Sequence, residues 1–188
     1  TYGPHLGLLY GKKEILKKLP NQNHEFLEGD IPYTLNPGGP NHEELSCLVG
    51  VYEYFINLFD HHFPEEDSSV RDKIQKVNDL ISNHEKEIAN PLLEYLSSRS
   101  DIRVIGKKTI SNKDRAPTIA FTMNNKSSKD LSSALVKNRI ATRNDNFYAL
   151  RCLKALGIDA DDGVVRTSMV HYNSHEDVSN LFIALKAI

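Results

Sequence analysis

A single arginine, Arg166, stands inside the otherwise apolar and small-polar run Gly163–Asn173, GVVRTSMVHYN. If the run is extended, Val164, Arg166, Ser168 and Val170 share one face, and Val165, Thr167 and Met169 share the other. Burying a guanidinium is costly unless an anion meets it. An arginine in such a strand therefore asks for a carboxylate or phosphate, which its planar fork can hold through two parallel hydrogen bonds. Two outcomes fit that demand. One is a structural ion pair with an Asp or Glu of the same chain, the commoner outcome on spacing alone. The other is an anionic ligand.

Charge bears on the choice of partner. The 188 residues carry 23 Lys and Arg against 25 Asp and Glu, with 39% hydrophobic residues. There is no basic excess that would favour nucleic acid. No apolar run approaches the ~18 residues of a membrane-spanning helix. The composition reads as a globular protein of one domain or slightly more. Cys47 and Cys152 both sit in helix-like patterns, form no disulfide framework, and fit a reducing, cytoplasmic setting. The start, TYGPHLGLLYGKKE, lacks the regions of a signal peptide and has no initiator Met, so a fragment or a processed chain is expected.

Along the chain, Leu6–Tyr10 reads as a short strand. A helix with Ile15, Leu16 and Leu19 inside follows and stops at Pro20. Residues 20–40 form a long loop ending in Asn36-Pro37-Gly38-Gly39-Pro40. Asn41, with Glu44 three residues on, reads as the cap of a helix whose Leu45, Leu48, Val49, Tyr52, Phe55, Ile56 and Phe59 predict a broad buried side. Val70 to Leu92 marks a long amphipathic helix, kinked or restarted at Pro91.

Beyond that helix the elements shorten. Strands are predicted at Ile102–Ile105, Thr118–Met123, Ile140–Arg143 and Val164–Val170. Helices are predicted from Ser127, over Phe147–Leu156 with Gly157 as its stop, and from Ser174, where Asp177 completes a capping box. The order β-β-α-β-α-β-α suits an α/β sandwich with a mostly antiparallel sheet and helices on one face.

Several motifs do not reach a site. Asp159, Asp161 and Asp162 have the wrong spacing for a calcium loop. His171 and His175 have a metal-like gap but no further ligands nearby in sequence.

Four segments, in order, carry a resemblance. They are Tyr2–Gly11, Leu35–Glu43, Asn146–Leu150 and Gly163–Asn173 with the capped helix after it. Together they resemble the C-terminal half of a class V aminotransferase, a fold-type I pyridoxal-phosphate enzyme, in its cysteine desulfurase-like branch. The resemblance implies a remnant of the large domain over residues 1–66, a linking helix over 67–100, and a small α/β domain over 101–188. It implies pyridoxal 5'-phosphate as cofactor, a small amino acid as substrate, and a homodimer in the full-length form, with neither nucleic acid nor membrane as partner.

Residue by residue, the resemblance makes Arg166 the arginine that holds the substrate α-carboxylate. Arg143 and Tyr148 fall at the small-domain active-site loop. Gly38, Gly39 and Asn41 fall in the loop that meets the cofactor phosphate, with Gly39 where the family usually has Thr. Tyr148 stands near the place of the desulfurases' attacking cysteine, whereas Cys152 reads as packed helix. The family's Schiff-base lysine would fall just before Thr1, so no catalytic residue is expected in the chain and it alone is expected to be inactive. The reading expected is thus part of a pyridoxal-phosphate enzyme, with a non-catalytic dimerisation or partner-binding domain as the alternative.

Overall fold

The structure, a computed structural model, describes residues 3–36, 38–111 and 114–188. Tyr2 and Pro37, which belong to the predicted motif segments, lie outside the described residues. The chain divides into two compact units, Thr1–Val77 and Asn78–Ile188.

The first unit is sparsely packed. It holds α1 (Lys13–Leu16), tight single turns at Glu25–Leu27 and Ile31–Tyr33, and α2 (His42–His62). The strand expected at Leu6–Tyr10 is not formed. Leu8, Leu9 and Tyr10 are exposed and, among the described residues, no strand pairs with their backbone, and an extended segment without a ladder cannot pair its amides. α2 begins as its sequence predicts, with the Asn41 side chain accepting from the Glu44 N–H at 3.0 Å. Its broad buried side is not realised: of the seven apolar positions only Phe59 is buried, while Val49 is 60% and Tyr52 44% exposed. Phe59 is held by Phe63, with ring centroids 5.2 Å apart, and by the Lys73 ammonium 4.8 Å over its ring.

α3 (Val70–Ser98) runs from the first unit into the second, and Pro91 lies inside it without interrupting the helix. The second unit has a genuine core. Four antiparallel strands, β1 (Ile102–Ile105), β2 (Thr118–Met123), β3 (Arg143–Asp145) and β4 (Val164–Ser168), lie in the order β1-β2-β4-β3. Alternation sends Val104, Phe121 and Val165 to one face. There they pack with Leu92, Leu93 and Leu96 of α3, Leu131 and Leu135 of α4 (Ser128–Lys137), and Leu181 and Leu185 of α6 (His175–Lys186). Phe121, Leu92, Leu135 and Leu185 are fully buried. A side chain of that size contributes about 1.5–3 kcal/mol by leaving water.

The sequence predicts all helices on one face, and the structure instead places them on both. Leu153 of α5 (Leu150–Ala155) packs with Val164, Ala160, Ile105, Ala120 and Phe147 on the opposite side of the sheet. Cys152, expected in packed helix, is exposed, because Leu153 beside it takes the inward position.

β4 ends at Ser168, two residues short of the predicted Val170, and two further boundaries move by three residues for local reasons. The strand predicted at Ile140–Arg143 starts only at Arg143. The preceding residues close α4: Arg139 adopts φ +62°, its N–H reaches the Val136 carbonyl at 2.9 Å, and the Ile140 N–H reaches the Leu135 carbonyl at 3.1 Å. This is a Schellman end with arginine in the position glycine usually takes. The helix predicted over Phe147–Leu156 starts only at Leu150, because Phe147 and Tyr148 are both left-handed, at φ +50° and +60°. The Asn146 side-chain oxygen accepts from the Tyr148 N–H at 3.0 Å and holds that turn. Gly157, at φ +68°, ends α5 as predicted.

Candidate active site

The face of β4 that carries Arg166 is set by its neighbours. Arg166 lies opposite Ala120 of β2 on one side and Arg143 of β3 on the other, and Ala120 lies opposite Ile105 of β1. Residues directly opposite in antiparallel strands project from the same face. One row across the sheet therefore reads Ile105, Ala120, Arg166, Arg143. β3 is the edge strand, so Arg143 is exposed while Arg166 is half-buried.

Several contacts fix β3 against β4. Gly163, at φ +76°, begins β4 so close to β3 that a Cβ there would fall on the Asp145 carbonyl and within 2.8 Å of the Asn146 nitrogen. The Ser128 N–H donates to both carboxylate oxygens of Asp162, at 2.8 and 3.1 Å, and the Asn144 amide donates to the Ser128 hydroxyl at 3.3 Å. Asp162 thus serves the start of α4. Among the described residues, no three His, Cys, Asp or Glu side chains gather as metal ligands.

Phe147 closes the site from above. Its left-handed backbone folds the ring back over the sheet, where the Arg166 guanidinium carbon lies 4.1 Å from the ring centroid. A left-handed bulky residue costs about 1–2 kcal/mol, and such strain gathers where a loop must hold a side chain in place. Phe147 lies in the segment Asn146–Leu150 that carries the resemblance, but nothing there singles it out as a site residue. The Asn before an aromatic pair was the available hint, since Asn stabilises such turns. Tyr148, the neighbouring predicted residue, is 105% exposed.

The two arginines lack the partners that a structural pair would supply. Among the described residues, neither Arg143 nor Arg166 forms an ion pair or a side-chain hydrogen bond, and the Arg166 Nε is buried without an acceptor. Arg99 shows what pairing looks like in the same unit. It donates to both Asp101 oxygens at 2.9 and 2.6 Å and to the Leu185 carbonyl at 2.7 Å. The Asp101 hydrogen bonds push its guanidinium further above its ordinary value. Arg115 also buries Nε without an acceptor, but its Nη2 donates to the Thr118 carbonyl at 3.4 Å, and burial lowers its pKa.

The predicted phosphate-loop residues lie in the first unit. Gly38 and Gly39 are exposed, and a Cβ on either would meet open space. Their contribution is unobstructed backbone ahead of the N-terminus of a 21-residue helix, where free N–H groups and the helix dipole suit a phosphate. The Asn41 side-chain oxygen is already engaged as the helix cap. These residues fit a cofactor phosphate through backbone contacts, with no hydroxyl at Gly39.

Comparison with known proteins bears on the family and the fold. The sequence profile described as aminotransferase class-V matches residues 74–181. An aminotransferase-like protein of Gibberella zeae is 31% identical over 190 aligned residues, covering 100% of this chain and 44% of that protein. A cysteine desulfurase-like protein of Aspergillus flavus is 28% identical, covering 94% of this chain and 38% of that protein. Among solved structures, a cysteine desulfurase from Escherichia coli superposes with a TM-score of 0.64 at 22% identity, over 95% of this chain and 41% of that one. The chain therefore spans less than half the length of these relatives, and its fold is that of the C-terminal portion of a fold-type I pyridoxal-phosphate enzyme. It belongs to the aminotransferase class-V family, whose members use pyridoxal 5'-phosphate.

Proposed function

We propose that this chain supplies the substrate-positioning part of a pyridoxal-phosphate enzyme acting on a small amino acid, and that none of its own lysines anchors the cofactor. The observation that carries this reading is Arg166, a half-buried guanidinium with a buried Nε and no anion among the described residues. A charge kept under those conditions is accounted for by a ligand that brings the counter-charge.

In this reading the α-carboxylate lies across the Arg166 fork, and Phe147 fixes the guanidinium by packing on its face. An amino acid held this way cannot rotate about its carboxylate, so its α-carbon bonds keep one direction relative to the sheet. When bound, the cofactor supplies the electron sink for bond changes at that α-carbon. Gly38 and Gly39 offer backbone N–H groups to a phosphate.

Two measurements test the reading. Titrating the chain with L-alanine while following arginine Nε–Hε resonances should move the Arg166 signal and saturate; a signal that does not respond sinks the carboxylate role. Reducing a mixture of the chain and pyridoxal 5'-phosphate with borohydride, then mapping peptides by mass, should show no single preferred lysine. One lysine modified stoichiometrically would overturn the proposal that the anchor is not among residues 1–188.

A further inference from the structure

The Arg166 reading explains one of the two arginines. Arg143 stands directly opposite it in the β3–β4 ladder, on the same face. Like charges directly opposite destabilise a sheet, and no carboxylate offsets them: among the described residues none pairs with either side chain, and Arg166 alone meets a ring, that of Phe147. Asp145, two residues from Arg143, turns its carboxylate to the Asn146 N–H at 2.7 Å. Asp162 is occupied by Ser128, and Asp159 accepts from the Asp161 N–H at 3.0 Å.

We propose that Arg143 is a specificity residue that binds a second anionic group, so that the preferred substrate is an amino acid with an acidic side chain. The inference rests on Arg166 holding the α-carboxylate. Opposite Cβ atoms lie about 5 Å apart in such a ladder, which is the scale separating the two carboxylates of a small amino diacid. The two guanidiniums also differ in setting. Arg166 is half-buried beneath Phe147, and Arg143 is exposed on the edge strand. Two anions at different depths match that difference better than one anion shared between them. Ala120, on the other side of Arg166, adds only a methyl group to the row and no further charge.

The test compares L-aspartate with L-asparagine, which has nearly the same shape but no side-chain charge, and with L-alanine. Each is titrated into the full 188-residue chain, its Arg143→Gln variant and its Arg166→Gln variant, followed by arginine side-chain resonances, with a thermal melt confirming that each variant is folded. Aspartate should bind at least tenfold tighter than asparagine. Arg143→Gln should abolish that preference, bringing aspartate affinity down to that of asparagine, while Arg166→Gln should weaken all three ligands. Equal binding of aspartate and asparagine, or a preference that survives Arg143→Gln, overturns the role of Arg143; if Arg166→Gln still weakens all ligands, the α-carboxylate reading stands without it. If Arg166→Gln weakens none, or if no ligand moves any arginine resonance, both fall.

Discussion

Replacing Gly163 with alanine should damage the second unit more than the same change at Gly157, and the structure separates the two contributions. Both glycines are left-handed, at φ +76° and +68°. That conformation costs alanine about 1–2 kcal/mol. At Gly157 the new methyl group meets nothing within 4 Å, so this is the whole cost. At Gly163 it falls on the Asp145 carbonyl and the Asn146 nitrogen, which are backbone and cannot rotate away. Forcing an extra methyl into filled space costs a further ~1–3 kcal/mol. Gly163→Ala should therefore lose about 2–5 kcal/mol and Gly157→Ala about 1–2 kcal/mol. For a unit of about a hundred residues, each kcal/mol moves the melting temperature by roughly 4 °C. Thermal melts followed by circular dichroism read both variants. The clash also pushes β3 from β4 beside the Asp145–Val164 pair, so amino-acid binding should weaken in Gly163→Ala and hold in Gly157→Ala. Equal melting losses in the two variants would refute the close-approach argument.

Two further outcomes follow from the same unit. Ser174→Ala removes the hydroxyl that accepts from the Asp177 N–H at 3.2 Å and should cost about 1 kcal/mol, read by denaturant melts. Its partner Asp177 is held below the usual carboxylate range, first by the Ser174 N–H and then by Asn173, so its contribution is present above about 3.8 and is lost as pH falls toward its lower folded value. His171 is held below the ordinary histidine value of 6.5, mainly by burial and further by the charge of His84. The unfolded chain then takes up a proton before the folded one does, so stability should fall as pH drops through 6.5 toward the lower folded value. His171→Gln should flatten that limb of the stability profile.

The second unit was legible because its signals were local and agreed with one another. Strict alternation in Thr118–Met123, the Ser127 and Ser174 caps and the glycine at 157 each specify one element, and together they specify the observed order. Two of the shifted boundaries have a common cause. Arg139, Phe147 and Tyr148 adopt left-handed conformations that glycine usually marks, and their residue types give no warning. The register that puts Arg143 opposite Arg166 was also hidden, since it depends on how the Gly163 turn meets Asp145. In the first unit, helical periodicity marked α2 correctly, but periodicity states which side can be buried and not whether anything covers it. Cys152 illustrates the same limit within one turn of helix, where a shift of one residue decides which side chain faces the sheet.

The central claim is that Arg166 is a ligand-binding guanidinium and not a structural ion pair. Arg166→Lys keeps the charge and removes the fork. Amino-acid Kd and melting temperature, measured together on this variant and the parent chain, test the claim most directly. A lost charge-assisted hydrogen bond is worth ~1.5–3 kcal/mol, so binding should weaken about ten- to a hundredfold. Stability should change by about 1 kcal/mol or less, the scale of the contact with Phe147. A variant that binds amino acid as tightly as the parent but melts well below it would show that Arg166 holds the fold together, and would contradict the account.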